Sequence, residues 1–316
     1  MRRDEIGDYV SRCASLAALM EVSAYPKPGN VHRTRDLPET RFEHFLAGGV
    51  AIGPDMRELA LKGRDAFSGA LGWDQINVGR SVLKAVVDSL EWQKGGNVNL
   101  GVVLLFAPIA AAAGATLHES ASIDAMGLRE NLKKVVRAAV PDDAVDLYKA
   151  INIAMNPETL GNVGELDVTD AGSRERIKDE GISPLEVFEN CAERDSICSE
   201  WVTGFQITFE VGVPKLKSYL DKGTINGAII NTFMHLLSRY PDSLITRKSG
   251  AAHAEEVSKQ AKEILEAGGA STVQGQKLLW ALDEELHGAK GGLNPGTTAD
   301  LTAAAIFVSL LEGWRP

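Results

Sequence analysis

Residues 100 to 115 read LGVVLLFAPIAAAAGA, a run without a charged or polar side chain. Such a segment is apolar on every face, so the rest of the chain must fold to cover it. It falls short of the roughly 20 residues needed to span a bilayer. Pro108 and Gly114 also interrupt it. A buried core helix is the expected outcome, and the fold is a question of what surrounds it.

The covering segments are helical by period. Ile6, Val10, Cys13, Leu16, Ala17 and Met20 mark a single helix face. Similar stripes run over 40–61, 75–92, 98–115, 122–139, 142–155, 183–211, 224–239, 249–267, 271–287 and 298–313. Pro141 followed by Asp142 and Asp143 is a readable start, since proline suits the first helical position and carboxylates suit the positive end. No stretch alternates convincingly as a strand; DSLITRK at 242–248 comes nearest and is short. The pattern predicts an all-α, multi-helix bundle of about ten helices, with residues 1–316 as a single domain. The longest loss of period is 156–182, and loops of that length are usually functional or mobile.

A net charge of −10 argues against a nucleic-acid partner, which requires basic surface to neutralise phosphates. A local basic pocket for a phosphorylated small molecule needs only a few cations and stays open. Three cysteines, Cys13, Cys191 and Cys198, are expected as reduced thiols, with Cys191 and Cys198 packed on one helix face. The N-terminal MRRDEIGDYV has no apolar leader, so a cytoplasmic protein without membrane attachment is expected. The long apolar helices would allow a homodimer.

Neither GxxxxGK[ST] nor a strand-borne GxGxxG occurs, and the histidines form no HExxH pair. Chemistry is therefore sought in four polar, glycine-bearing breaks between apolar helices. The first, YPKPGNVHRTRD at 25–36, holds Pro26 and Pro28, which favour extended backbone before them, and Gly29, which permits close approach. Lys27, Arg33 and Arg35 could converge there on an anion, with His32 beside them; a solvated connection is the plainer reading. The second, GGNVNLG at 95–101, offers Asn97 or Asn99 as a helix N-cap and a helix N-terminus able to face an anion. The third, DSLITRKSG, carries Arg247 and Lys248. In the fourth, GGLNPGTTAD, Thr297 and Asp300 have the spacing of a capping box, and Asn294 stands beside them. An acidic set, Glu165, Asp167, Asp170, Asp195 and Glu200, has oxygen ligands of the type Mg²⁺ takes with substrate phosphates.

Taken together, EVSAYPKPGNVHRTRD (21–36), GGNVNLGVVLLFAPIA (95–110), DSLITRKSG (242–250) and NPGTTADLTAAAIFVSLLE (294–312) resemble the triphosphoribosyl-dephospho-CoA synthase family. The segments occur in the family's order over nearly the whole chain. The resemblance implies an all-helical, ATP-dependent transferase that moves the triphosphoribosyl part of ATP to a hydroxyl of 3′-dephospho-CoA and releases adenine. ATP with Mg²⁺ and a small-molecule acceptor are the implied partners. Lys27, Gly29, Asn30, Arg33, Asn97, Asn99, Arg247, Asn294 and Thr297 are the expected substrate and phosphate contacts, and Asp167 and Asp170 the metal ligands. Asp36 or Asp300 is the expected catalytic carboxylate, with His32 as an acid/base. The citrate-lyase-loading synthases usually read N-T-H-K-G where this chain has Asn97-Val98-Asn99-Leu100-Gly101, so the resemblance is to an archaeal-like branch. Pentosyl transfer to a different acceptor, or a non-catalytic helical nucleotide-binding protein, are the alternatives.

Overall fold

The computed structural model describes residues 1–120, 122–155, 168 and 170–316, and no β-strand occurs among them. The all-α expectation holds, with more and shorter helices than the periodicity shows. The first half comprises α1 (Arg3–Ser23), α2 (Phe42–Ala51), α3 (Gly53–Phe67), α4 (Val78–Glu91), α5 (Leu100–Glu119), α6 (Ala125–Ala138) and α7 (Pro141–Ala154). Then come α8 (Ala171–Glu180), α9 (Pro184–Glu189), α10 (Ser196–Thr203), a π-helical turn (Ile207–Gly212) and α11 (Val213–Leu220). The chain closes with α12 (Ile225–Arg239), α13 (Ser243–Ser249), α14 (Ala251–Glu266), α15 (Val273–Gly288) and α16 (Gly296–Leu311).

The differences have local causes. The 40–61 stripe is two helices because Pro54 sits in the first turn of α3, where a missing N–H does no harm, and would have broken a continuous helix. The 183–211 stripe is divided by Asp195, which caps α10, and by Gly204, whose φ of 64° ends it. The segment nearest to a strand, 242–248, is the short helix α13; Asp242 Oδ1 accepts from the N–H groups of Leu244 and Ile245. Cys191 and Cys198 do not share a helix face. They lie in the turn just after α9 and within α10 and are joined as a disulfide, with Cα atoms 5.8 Å apart. Reduced, core-packed thiols were expected from their spacing; the turn between the two helices is what brings the sulfurs together. Cys13 is free and buried.

At the centre lies α5, buried at every residue from Val102 to Leu117 and packed against α1, α3, α6 and α16. Its length and mean hydropathy of 2.1 would suit a membrane span, but 94% of the apolar window is covered by the protein's own helices. Pro108 does not break it. Proline lacks the N–H that would bond the carbonyl four residues back, which is Leu104 O. That carbonyl instead accepts the indole Nε1–H of Trp201 at 3.1 Å, and Trp201 on α10 is itself buried. Contact with α3 is set by reciprocal glycines. A β-carbon on Gly63 would stand 1.8 Å from Ala111 O, and one on Gly114 would stand 1.8 Å from Ala60 O. The second buried helix, α16, crosses α5 where the rings of Phe106 and Phe307 meet at 4.6 Å. Each such ring stabilises the fold by roughly 1.5–3 kcal/mol on burial.

Candidate active site

All four polar breaks, far apart in sequence, contribute to the walls of one cavity of about 410 Å³. Asn30 Nδ2, from the first break, donates to Asn294 Oδ1, from the fourth, at 2.8 Å. Asn97, Asn99 and Gly101 line the cavity from the second break, Arg247 from the third, and Thr297 and Asp300 from the fourth. Of the two asparagines before α5, Asn97 acts as the cap: its Oδ1 accepts from Leu100 N at 3.0 Å, which leaves its amide N–H groups for the cavity. Asn99 is buried; with its amide oxygen turned towards α2 it accepts from Gly49 N at 3.2 Å and donates to Val98 O at 3.1 Å. Apolar walls complete the space, among them Phe45, Leu104, Ile151 and Phe188.

Thr297 and Asp300 do not form a capping box. Asp242 does that work across 56 residues: its Oδ2 accepts from Thr298 N at 2.7 Å and Thr298 Oγ1 at 2.8 Å. One buried carboxylate thus caps both α13 and α16. The Asp300 carboxylate, relieved of the role, makes no hydrogen bond to any described residue, and the residue keeps part of its surface open to the cavity. Burial pushes its carboxyl well above the ordinary carboxylate range, reinforced by the neighbouring negative charges of Glu21, Asp242 and Asp195 and opposed by Lys27.

The first break has a different purpose from the one its charge suggests. Pro26 keeps Tyr25 out of the helix that ends at Ser23. Asn226 on α12 then grips the Tyr25 backbone, accepting from its N–H at 3.0 Å and donating to its carbonyl at 2.7 Å. Gly29, at φ 72°, turns the chain so that its N–H reaches Asp283 Oδ1 at 3.2 Å. A side chain there would collide with Leu286. Asp283, on α15, gathers the loop. His32 Nε2 stands 3.4 Å away, Arg35 at 3.2 Å, and His287 Nδ1 at 3.0 Å. Burial alone would push Asp283 up, but the hydrogen bonds of His287 and His32 outweigh it and hold the carboxylate below its ordinary range.

Several expected contacts therefore lie elsewhere. Lys27 is fully buried behind the cavity wall and pairs with Glu21 Oε1, its Nζ also 3.3 Å from the Glu21 carbonyl. Burial lowers the Lys27 pKa and raises that of Glu21, each partly offset by the other. His32 is bound to Asp283 away from the cavity lining, so it is no acid/base there. Arg33 lies 4.9 Å over the Tyr25 ring, with its Nε on the Ser23 carbonyl, and Gly29 is spent on Asp283. Asp36 accepts from Phe42 N at 2.8 Å at the start of α2 and does not line the cavity. Asp170 caps α8, accepting from Gly172 N at 3.0 Å, and is exposed outside the lining. Asp167 lies outside the described residues. Glu200 is structural: buried, it accepts from Ile207 N at 2.6 Å and Thr208 N at 3.0 Å, and burial raises its pKa to about 7.

Other wall residues carry no motif. Glu21 lines the cavity from α1; a carboxylate on the apolar face of a helix, with Lys27 six residues on, was its only trace in the sequence. Arg194 and Asp195 line it from the turn closed by the Cys191–Cys198 bridge, and Asp195 pairs with Arg247. The cavity therefore offers guanidinium groups for anionic oxygens, amide donors from asparagines, and carboxylates of which Asp300 is unengaged.

A solved structure from Archaeoglobus fulgidus, provisionally named a triphosphoribosyl-dephospho-CoA synthase, superposes with a TM-score of 0.63 at 28% identity, over 85% of this chain and all of that one (100%). The 2-(5''-triphosphoribosyl)-3'-dephosphocoenzyme-A synthase of Klebsiella pneumoniae is 24% identical over 93% of this chain and 87% of its own length. A Pseudomonas fluorescens protein given the same name as probable is 28% identical over 34% of this chain; the match spans only 37% of that relative. The family profile described as CitG, ATP:dephospho-CoA triphosphoribosyl transferase, matches residues 7–316, and with nearly its whole length so matched this chain belongs to that family.

Proposed function

We propose that the protein transfers the triphosphoribosyl group of ATP to a hydroxyl of 3′-dephospho-CoA with release of adenine. The observation that carries this reading is the unengaged Asp300 carboxylate in a cavity that all four family-like segments line. The bond that breaks joins C1′ of the ribose to adenine, and positive charge grows at C1′ as it does so. Asp300 faces that charge and takes the acceptor hydroxyl's proton; burial raises its proton affinity, which strengthens it as a base. The free amide N–H of Asn97 donates to the departing base, and Arg194 and Arg247 hold phosphate oxygens. Holding ATP and acceptor in one enclosed space supplies the orientation the displacement needs.

Mg²⁺ commonly takes one or two carboxylates and completes its shell with phosphate oxygens. The described residues hold no cluster of three candidate ligands. Glu21, whose Oε2 is not engaged by Lys27, and Asp195 have the right donor type to hold an ion that arrives with the triphosphate. Bound there, the ion would neutralise phosphate charge.

One observation favours a second reading. Leu100 lines the cavity where the citrate-lyase-loading synthases usually carry lysine, which makes this wall apolar and suits an acceptor other than dephospho-CoA. The test is incubation with ATP, Mg²⁺ and 3′-dephospho-CoA, following adenine and the coenzyme's mass, with Asp300→Asn as the control. Adenine with a triphosphoribosylated coenzyme in the wild type, lost in the variant, supports the proposal. Adenine without the adduct transfers the case to another acceptor, and bound ATP that never yields adenine leaves a binding protein.

A further inference from the structure

Gly101 lies in the first turn of α5 and lines the cavity. Its φ is not positive, so the backbone does not demand glycine. Local propensity opposes it, since glycine in a helix is less stable than alanine. The space around it supplies the reason. A β-carbon at this position would stand 2.0 Å from Asp300 Oδ2, 2.5 Å from Asp300 Cγ and 2.9 Å from Ile197 Cδ1. No other residue type can coexist with the observed Asp300 carboxylate. Among the described residues no hydrogen-bond donor fixes that carboxylate, and its place is set by shape: the bare first turn of α5 on one side, and the helix that carries it on the other. The first turn is also where a helix presents its positive end, which favours an anion lying against it.

We infer that Gly101 is a positioning residue that admits the Asp300 carboxylate to its working place against the N-terminus of α5. The inference rests on the reading of Asp300 as the reacting carboxylate. It adds a residue whose contribution is the absence of a side chain. The colliding atoms belong to the end of a rotatable side chain, so an added methyl group displaces Asp300 and leaves the two helices where they are. Function and stability therefore separate: a purely structural glycine would lose both together.

Gly101→Ala should keep or raise the melting temperature while kcat for adenine release falls about a hundredfold, the scale of losing a well-placed base. KM for ATP should stay within about threefold, because the phosphate contacts are untouched. In an Asp300→Ala background the same substitution should cost no stability, because the Asp300 carboxylate is gone and only the movable Ile197 Cδ1 end remains close. Carboxyl-carbon NMR titration of Asp300 gives a readout independent of turnover: in Gly101→Ala its titration midpoint should differ from that of the wild type, because the carboxylate has left the first turn of α5. Full activity of Gly101→Ala beside an inactive Asp300→Ala overturns the positioning role and spares Asp300. An active Asp300→Ala overturns the reading of Asp300 and this inference with it. Should the wild type show no adenine release, an unmoved titration in Gly101→Ala still overturns the inference. Should Gly101→Ala fail to fold, the double variant must fold, and its failure counts against the collision.

Discussion

Replacing Trp201 with phenylalanine should cost more than the lost ring accounts for, and the excess should depend on Pro108. The Leu104 carbonyl has no helical donor because residue 108 is proline, and the Trp201 indole N–H fills the gap at 3.1 Å in a buried setting. Phenylalanine leaves that carbonyl unsatisfied, a penalty of about 1–3 kcal/mol. The smaller ring adds about 1 kcal/mol in lost burial. Trp201→Phe alone should therefore destabilise by roughly 2–4 kcal/mol. Pro108→Ala restores an N–H at the position from which an α-helix would bond Leu104 O. Against that background the tryptophan replacement should cost only its packing share. Urea unfolding of the four proteins in the cycle, followed by circular dichroism at matched m-values, gives the coupling, expected near 1–3 kcal/mol. Costs that add to within about 0.5 kcal/mol would refute the idea that the indole replaces the missing helical bond.

Asp300→Asn should stabilise the fold while abolishing activity. The folded-state pKa of Asp300 is raised, so the native state binds its proton more readily than the unfolded chain, and ionisation above that pKa costs stability. The gain in melting temperature should be present at pH 8 and disappear as pH falls toward the ordinary aspartate value of about 3.9; an equal gain at both ends contradicts the assignment. Lys27→Met should leave Glu21 as an unpaired buried carboxylate, at a cost of about 3–5 kcal/mol that is greater at high pH, and Glu21→Gln should recover most of it. A Lys27 variant of unchanged stability and a raised KM for ATP would instead make this lysine a phosphate ligand. Gly114→Ala, whose β-carbon meets the Ala60 backbone and not a movable side-chain end, should destabilise by about 1–3 kcal/mol in thermal unfolding. Thiol titration of the unfolded protein without reductant should find one thiol, Cys13, and three after reduction. Calorimetry should show weaker ATP binding once the ring carrying Arg194 and Asp195 is opened.

Helical class and the central place of α5 were legible in the sequence because both follow from local chemistry: a 3.6-residue apolar period, and a run with no polar face to show to water. The four glycine-bearing breaks were legible for the same reason, since proline and glycine act on their own backbone. Which side chains in those breaks face the cavity was not. The basic character of 25–36 suggested a phosphate loop, yet only Asn30 lines the space. Asp283, some 250 residues away in the chain, draws His32 and Arg35 to itself. The spacing of Thr297 and Asp300 suggested a cap, but Asp242 supplies it from across the fold and frees Asp300. Lys27 became a buried partner of Glu21, and Cys191 found Cys198 across a turn. Local propensity sets where a chain bends, but a charged or hydrogen-bonding side chain goes to whichever partner the packed helices bring within about 3 Å. That choice is made by tertiary structure.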